Sequence, residues 1–300
     1  MGGTREKRAI LARRGCLCRP LAACSLIAMR PLSRSVRMTL HPATLHQRAH
    51  GAAYARLSLA GVQDLRQQGS AKVMLPHVGA TPEVVFLNTS GGLTAGDQLS
   101  WRLDLGDGVR AIATTQTAER AYLAQGGQAQ VTVAHQVGAG GWLDWLPQET
   151  ILFEGAALSR TTRVELGQGA GCLLLEAVVL GRAAMGETVG RVAFSDRREV
   201  WQGGRPRLVE PLLMTDAALL TGPAGLDGAR AFASVALVAR GAEDALGPVR
   251  AVLGDDAAAS GFDGKLMVRL RAGDGWPLRV QIAAVLRVLT GRALPRVWQM

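Results

Sequence analysis

The sequence predicts a mainly β fold, and three observations carry that prediction. Short apolar or alternating runs recur beyond about residue 50, clusters of Gly, Asp and Pro separate them, and few segments have helical periodicity. The runs include Val84 to Leu87, Gln98 to Leu105, Val109 to Thr114, Ala129 to Val137, Thr162 to Leu166, Cys172 to Leu180, Arg191 to Trp201, Ala231 to Ala239 and Lys265 to Arg271. Residues Gln128 to His135 alternate in part, as a half-buried strand does. Turn signals lie between the runs at Gly106-Asp107-Gly108, Gly138 to Gly141 and Gly167-Gln168-Gly169. Strands at this spacing, without regular intervening helices, predict one large, predominantly antiparallel domain over residues 38–300. No repeat of fixed length emerges, so a regular solenoid is not expected.

Two or three helices are expected. After Pro277, apolar residues at Leu278, Ile282, Val285, Leu286 and Leu289, closed by Gly291, predict a C-terminal amphipathic helix. Weaker patterns predict two turns over Thr117 to Gln125 and a short helix within Ala242 to Leu253.

Charge divides the chain. The formal charge of +10 comes almost wholly from the first 50 residues, which hold ten Lys and Arg against Glu6. The remaining 250 residues are nearly neutral, with 24 basic and 23 acidic side chains. A nucleic-acid-binding face is therefore not implied. Residues 1–37 are expected to be an Arg-rich disordered extension, or to precede a true start at Met29 or Met38. No apolar stretch reaches the roughly 20 residues of a membrane span. Cys16, Cys18 and Cys24 lie in the tail, leaving Cys172 alone in the body as an expected core residue. That pattern fits a reducing, cytoplasmic setting.

Residues Asn88 to Asp97 form the most informative loop, with Gly91, Gly92 and Gly96 beside Thr89, Ser90 and Thr94. Those hydroxyls and glycine amides allow a hydrolase reading, with Glu119, Glu149 or Glu187 as base. Against it, no Gly-x-Ser-x-Gly elbow, phosphate-binding loop, His-Glu-x-x-His or Cys-x-x-Cys is present. A turn whose side chains cap their own backbone is the plainer expectation.

Four more blocks follow the loop in order. They are Thr114 to Arg120, which includes Thr115 and Gln116; Trp145 to Phe153, which includes Pro147 and Gln148; Gly181 to Glu187, which includes Arg182 and Gly186; and Pro295 to Gln299. Together with the opening loop, the series resembles the urease accessory protein UreD (UreH) family from about Met38 to the C-terminus. Ala95 departs from the family pattern. The resemblance implies a non-enzymatic, β-rich scaffold that binds the urease apoprotein, UreF and the GTPase UreG while nickel is inserted. No tightly bound cofactor is expected, only nickel in transit. Carboxylates and carbonyls suit a passing Ni(II) better than a closed His/Cys cage. Some of Asp97, Glu119, Glu149 and Glu187, the carboxylates inside these blocks, are expected to line such a path, or else to form structural ion pairs such as Glu119 or Glu149 with Arg120 or Arg182. Trp145 and Trp298 are expected either as partner contacts or as core aromatics pinning strand ends, and Arg296 as a partner contact, with the C-terminal helix and its tail as the UreF docking surface.

Overall fold

The computed structural model describes residues 48–298, apart from 77, 78, 220, 221, 223 and 224. The predicted extension over residues 1–37, and His41 and His46, lie outside the described residues. All the strands and helices named below belong to the unit His46–Met300.

Seventeen strands and three short to medium helices are described. In chain order the strands are β1 (His50–Ser58), β2 (Gly61–Gly69), β3 (Ala71–Met74), β4 (Glu83–Asn88), β5 (Gln98–Leu105), β6 (Arg110–Thr115), β7 (Glu119–Ala121), β8 (Ala129–Val137) and β9 (Trp142–Trp145). They continue as β10 (Thr150–Leu152), β11 (Ala156–Leu166), β12 (Gly171–Leu180), β13 (Val192–Gln202), β14 (Arg205–Thr215), β15 (Ala231–Val238), β16 (Ala257–Phe262) and β17 (Lys265–Ala272). The helices are α1 (Asp216–Leu219), α2 (Leu246–Arg250) and α3 (Gly275–Thr290).

The strands alternate between two sheets. One has the order β14-β13-β11-β8-β5-β1-β2, the other β16-β17-β15-β12-β9-β6-β4-β3. Mainly β is correct, but the predominantly antiparallel expectation is overturned. In the first sheet β1, β5, β8, β11 and β13 all pair in parallel. In the second, β4, β6, β9 and β12 do the same. Antiparallel pairs close both edges of each sheet. Each strand thus lies beside its equivalent one coil later, which makes a two-sheet solenoid. Short strands of either kind have the same composition, and only the connection decides between them.

The repeat has no fixed length, yet the coils stack as a solenoid, which corrects the expectation drawn from its absence. In the first sheet Leu103 faces His135, then Val164, then Val200, at steps of 32, 29 and 36 residues. The turns Gly106, Gly138, Gly167 and Gly203 keep the same three steps. Three of these turns are stacked so closely that a Cβ on Gly138 would lie 2.5 Å from Asp107 N, and one on Gly167 2.6 Å from Ala139 N. Glycine is required there by contact with the neighbouring coil.

A third, narrow ladder closes the opposite end of the coils. Leu93 bridges Ala121, and β10 pairs with both β7 and the end of β12, so that Leu93, Ala121, Leu152 and Leu180 stack as one buried column. This ladder explains why Thr117 to Gln125 contains the strand β7 instead of the two expected helical turns. Pairing with neighbouring coils outweighs weak local helix propensity.

The space between the sheets is filled by apolar side chains such as Phe86, Trp101, Trp145, Leu158, Leu174 and Phe194. Cys172 belongs to this core, and burial raises its thiol well above the usual range. A second core lies between the outer face of the β12–β15–β17 sheet and the helices, using Leu278, Ile282, Val285 and Leu286 of α3. That helix starts at Asp274, whose side chain accepts from Gly275 N, and ends at Gly291 with φ 64°. Both edges of the first sheet resist further pairing. The edge strand β14 carries Pro206 and Pro211, and β2 is polar and mostly exposed. Leu152→Ala, in the column at the loop end, is expected to cost about 2–5 kcal/mol of unfolding free energy by urea denaturation. A loss under about 1 kcal/mol would contradict a continuous column.

Candidate functional site at the loop end

Coil stacking gathers the sequence blocks. The loops 88–97, 115–128, 145–155 and 181–191 are equivalent connections in successive coils, so residues about 30 apart in sequence meet at one end.

The opening loop is built by its own side chains. Asp97, almost fully buried, accepts from Ala49 N at 2.7 Å and from Thr94 N at 2.8 Å, using both carboxylate oxygens. Thr89 Oγ1 donates to Ser70 O at 3.0 Å, Ser90 Oγ to Gly92 O at 2.8 Å and Thr94 Oγ1 to Leu123 O at 2.9 Å. Gly92 has φ 147°, and a Cβ there would lie 2.3 Å from the Tyr122 ring. Each candidate hydroxyl is thus committed to an anchoring contact. His135, the one interior histidine among the described residues, accepts from Leu103 N at 3.1 Å, and burial depresses its pKa to about 3. It sits among the Trp145 and Phe86 rings as a neutral core residue. The hydrolase reading has no support in this geometry.

Glu119 is different. It is half-buried and lines a cavity of about 30 Å³ between the sheets, near the size of one water. Burial pushes its carboxyl up to about 7, against hydrogen bonds from Asn88 Nδ2 at 3.2 Å and from Arg120 N. Thr115, Pro147, Gln148, Thr150, Arg160 and Glu176 share the cavity. Behind it runs an ionic cluster with no counterpart among the expected site residues. Arg160 Nη2 lies 2.7 Å from Glu176 and 2.8 Å from Asp196, while Nη1 donates to Thr150 Oγ1 at 2.9 Å. Burial raises the Glu176 carboxyl, opposed by the Arg160 charge. One step further, Arg198 and Arg269 both pair with Glu210, which also accepts from Ser234 Oγ at 3.1 Å. Arg269 is exposed, and the Arg198 charge acts on Glu176 through space, so a broken chain of two ion-paired groups stands between Glu119 and the surface. Pairing and hydrogen bonding are what allow so many charges between two apolar sheets.

The other expected residues are placed elsewhere. Glu187 accepts from Arg182 Nε at 2.9 Å, Arg182 N at 3.1 Å and Glu154 N at 3.2 Å. Burial opposes its ionisation, but these contacts hold its carboxyl below the usual range. Gly186 ends the short turn between Arg182 and Glu187 at φ 68°. Glu149 is half-buried, 3.5 Å from Arg279 Nη1. Arg120 is exposed beside Glu119, and Gln116 and Arg296 line an apolar cleft of about 450 Å³ with Met74 and Val85.

Of the two readings of Trp145 and Trp298, the burial of both indoles favours core aromatics. Trp145 is 2% and Trp298 5% exposed, so neither indole can be inserted into a partner. Trp298 instead fastens the tail: its Nε1 donates to Leu146 O at 3.0 Å, and the Arg279 guanidinium lies 4.4 Å from its ring. Gln148 completes this strap, accepting from Arg279 Nη1 at 2.6 Å and donating to Val297 O at 3.2 Å. Among the described residues no group of three or more His, Cys, Asp or Glu side chains could hold a metal ion, and no helix is long and apolar enough to cross a membrane.

The class defined here is a β-solenoid whose coils enclose a buried ionic cluster and whose irregular loops collect at one end. A family profile described as UreD urease accessory protein matches residues 41–299. A protein of Cereibacter sphaeroides (strain ATCC 17025) is 66% identical over 258 residues, covering 82% of this chain and 94% of the relative. One of Paracoccus denitrificans (strain Pd 1222) is 56% identical over 259 residues, covering 84% and 93%. One of Rhizobium leguminosarum bv. viciae is 43% identical over 271 residues, covering 87% and 99%. All three are named urease accessory protein UreD. The chain belongs to the UreD urease accessory protein family.

The raised Glu119 carboxyl has a stability consequence. Folding favours its protonated form, so its stabilising contribution is complete below pH 4.5 and is lost as pH rises through about 7. Glu119→Gln, which cannot ionise, is expected to flatten the fall in urea midpoint between about pH 5 and pH 8. Parallel curves for both proteins would show that Glu119 does not titrate abnormally.

Proposed function

We propose that this chain is a non-enzymatic urease maturation factor of the cytoplasm, a scaffold that binds urease apoprotein, UreF and UreG while nickel is inserted. The observation that carries the reading is the broken polar chain between Glu119 and Arg269 inside an otherwise apolar solenoid. Carboxylates bind Ni(II) weakly enough to release it, and nickel is here cargo, not a resident cofactor. Glu119 is the one expected transit residue whose carboxylate faces the interior cavity, and Glu176, Asp196 and Glu210 continue the line beyond it. Asp97 and Glu187 hold loops in shape, and Glu149 stands beside the strap at the same end. The reading is tested by urease activation with complex formation measured separately. Glu119→Gln and Glu176→Gln are expected to lower activation about tenfold or more while UreF and UreG still co-purify; an equal loss of complex and activity would assign both residues to assembly.

Of the expected UreF docking surface, the C-terminal helix and its tail, the outer face of α3 is the part we propose. Trp276 and Val280, one turn apart, are 62% and 53% exposed. An unpaired apolar stripe of this kind suits a helical partner, and Trp is frequent among interface hot spots. Trp276→Ala is expected to weaken UreF co-purification by about 2 kcal/mol without altering the far-ultraviolet spectrum. Deletion after Arg292 would instead be expected to lower stability, because it removes the strap that Arg279 and Gln148 hold.

A further inference from the structure

The opposite end of the solenoid, where the tight glycine turns stack, holds a polar cleft of about 670 Å³. Arg110, Trp142 and Gly171 stand in one row across β6, β9 and β12. A Cβ on Gly171 would lie 2.6 Å from the Trp142 ring, so glycine lets the indole lie flat across the next strand. The Arg110 guanidinium stacks 5.1 Å from the centre of the Trp142 ring. Arg207 and Arg240 stand in the facing wall.

None of these three arginines forms an ion pair among the described residues; Arg207 donates to the carbonyl of Asp263. Of the two carboxylates lining the cleft, Asp263 is paired with Lys265 at 2.8 Å, while Glu243 accepts from Gly264 N at 3.3 Å through one oxygen and its other oxygen has no protein partner. In a body whose charges otherwise almost cancel, this concentrates positive charge on an aromatic and glycine floor. Guanidinium groups in such a setting recognise carboxylates or phosphates. Spacing decides the size of the ligand. The row continues to Ala239 beside Arg240, three strand spacings from Arg110, or roughly 14 Å at about 4.8 Å per strand. A single phosphate or carbonate ion could touch both arginines only if each side chain turned inward along the row, whereas about four or five extended residues cover that distance and suit a cleft of about 670 Å³.

We infer that this cleft binds an extended acidic segment of a partner protein, with its carboxylates on Arg110 and Arg240 and its backbone across Trp142. This assignment is independent of the interior polar chain. The full chain is titrated with a synthetic oligoglutamate peptide of about six residues, with oligoglutamine and inorganic phosphate as comparisons, by calorimetry. The glutamate peptide is expected to bind and the glutamine peptide not to bind. The double variant Arg110→Gln/Arg240→Gln is expected to lose about tenfold or more in affinity. Arg56→Gln/Arg287→Gln, exposed arginines outside the cleft, is expected to change it little. Undiminished binding by the cleft variant, or an equal loss in the control, would overturn the assignment. So would displacement of the peptide by phosphate at equal ionic strength and similar concentration, which would make the cleft a site for a small oxyanion.

Discussion

The parallel hydrogen-bonded register between one coil and the next is the constraint on which the rest of this structure depends. Steps of 32, 29 and 36 residues recur in the strands and in the glycine turns, although the loops between them differ in length and content. Once the strands are in register, everything at one end of a coil is carried to the same end of the molecule. That is how Asn88, Glu119, Thr150 and Arg182 come to share a region without any local sequence relation. It also keeps the two ends chemically distinct, with irregular polar loops at one and close-packed glycine turns at the other.

The interior is an unusual place for charge. Arg160 is held between Glu176 and Asp196 with a hydroxyl as third partner, and each would be costly alone. Apolar residues replacing the whole group would pack more simply, so the cluster is weak evidence for stability and stronger evidence for function. The Trp145 indole N–H lies against the Glu176 carboxyl and favours its charged form, while Thr162 Oγ1 nearby lacks a protein partner. An unfilled valence beside a cavity belongs to a region made for polar guests.

The strands, the C-terminal helix with its terminating Gly291 and the core position of Cys172 were legible in the sequence, because each depends on local pattern. Pairing direction was not, since parallel and antiparallel strands of this length read alike. The repeat was partly hidden by unequal steps, yet Gly106, Gly138, Gly167 and Gly203 marked it. The ionic cluster was missed for a related reason. Glu176 is a lone acid in the apolar run Cys172 to Leu180, and Arg160 shares the inward phase of Leu158 and Val164 in β11. Those were the available signals. Trp145 and Trp298 stayed open between core and surface in the sequence, because a tryptophan near a proline has the same appearance in either place.

Pro206 and Pro211 on the edge strand have a consequence for the assembly as a whole. A coil that pairs with its own equivalent has no intrinsic stop, and an eleven-residue strand such as β14 could template a neighbour's strand without end. The prolines withhold amide donors where the next molecule would need them. That edge is therefore a poor template for strand addition by another copy of the chain.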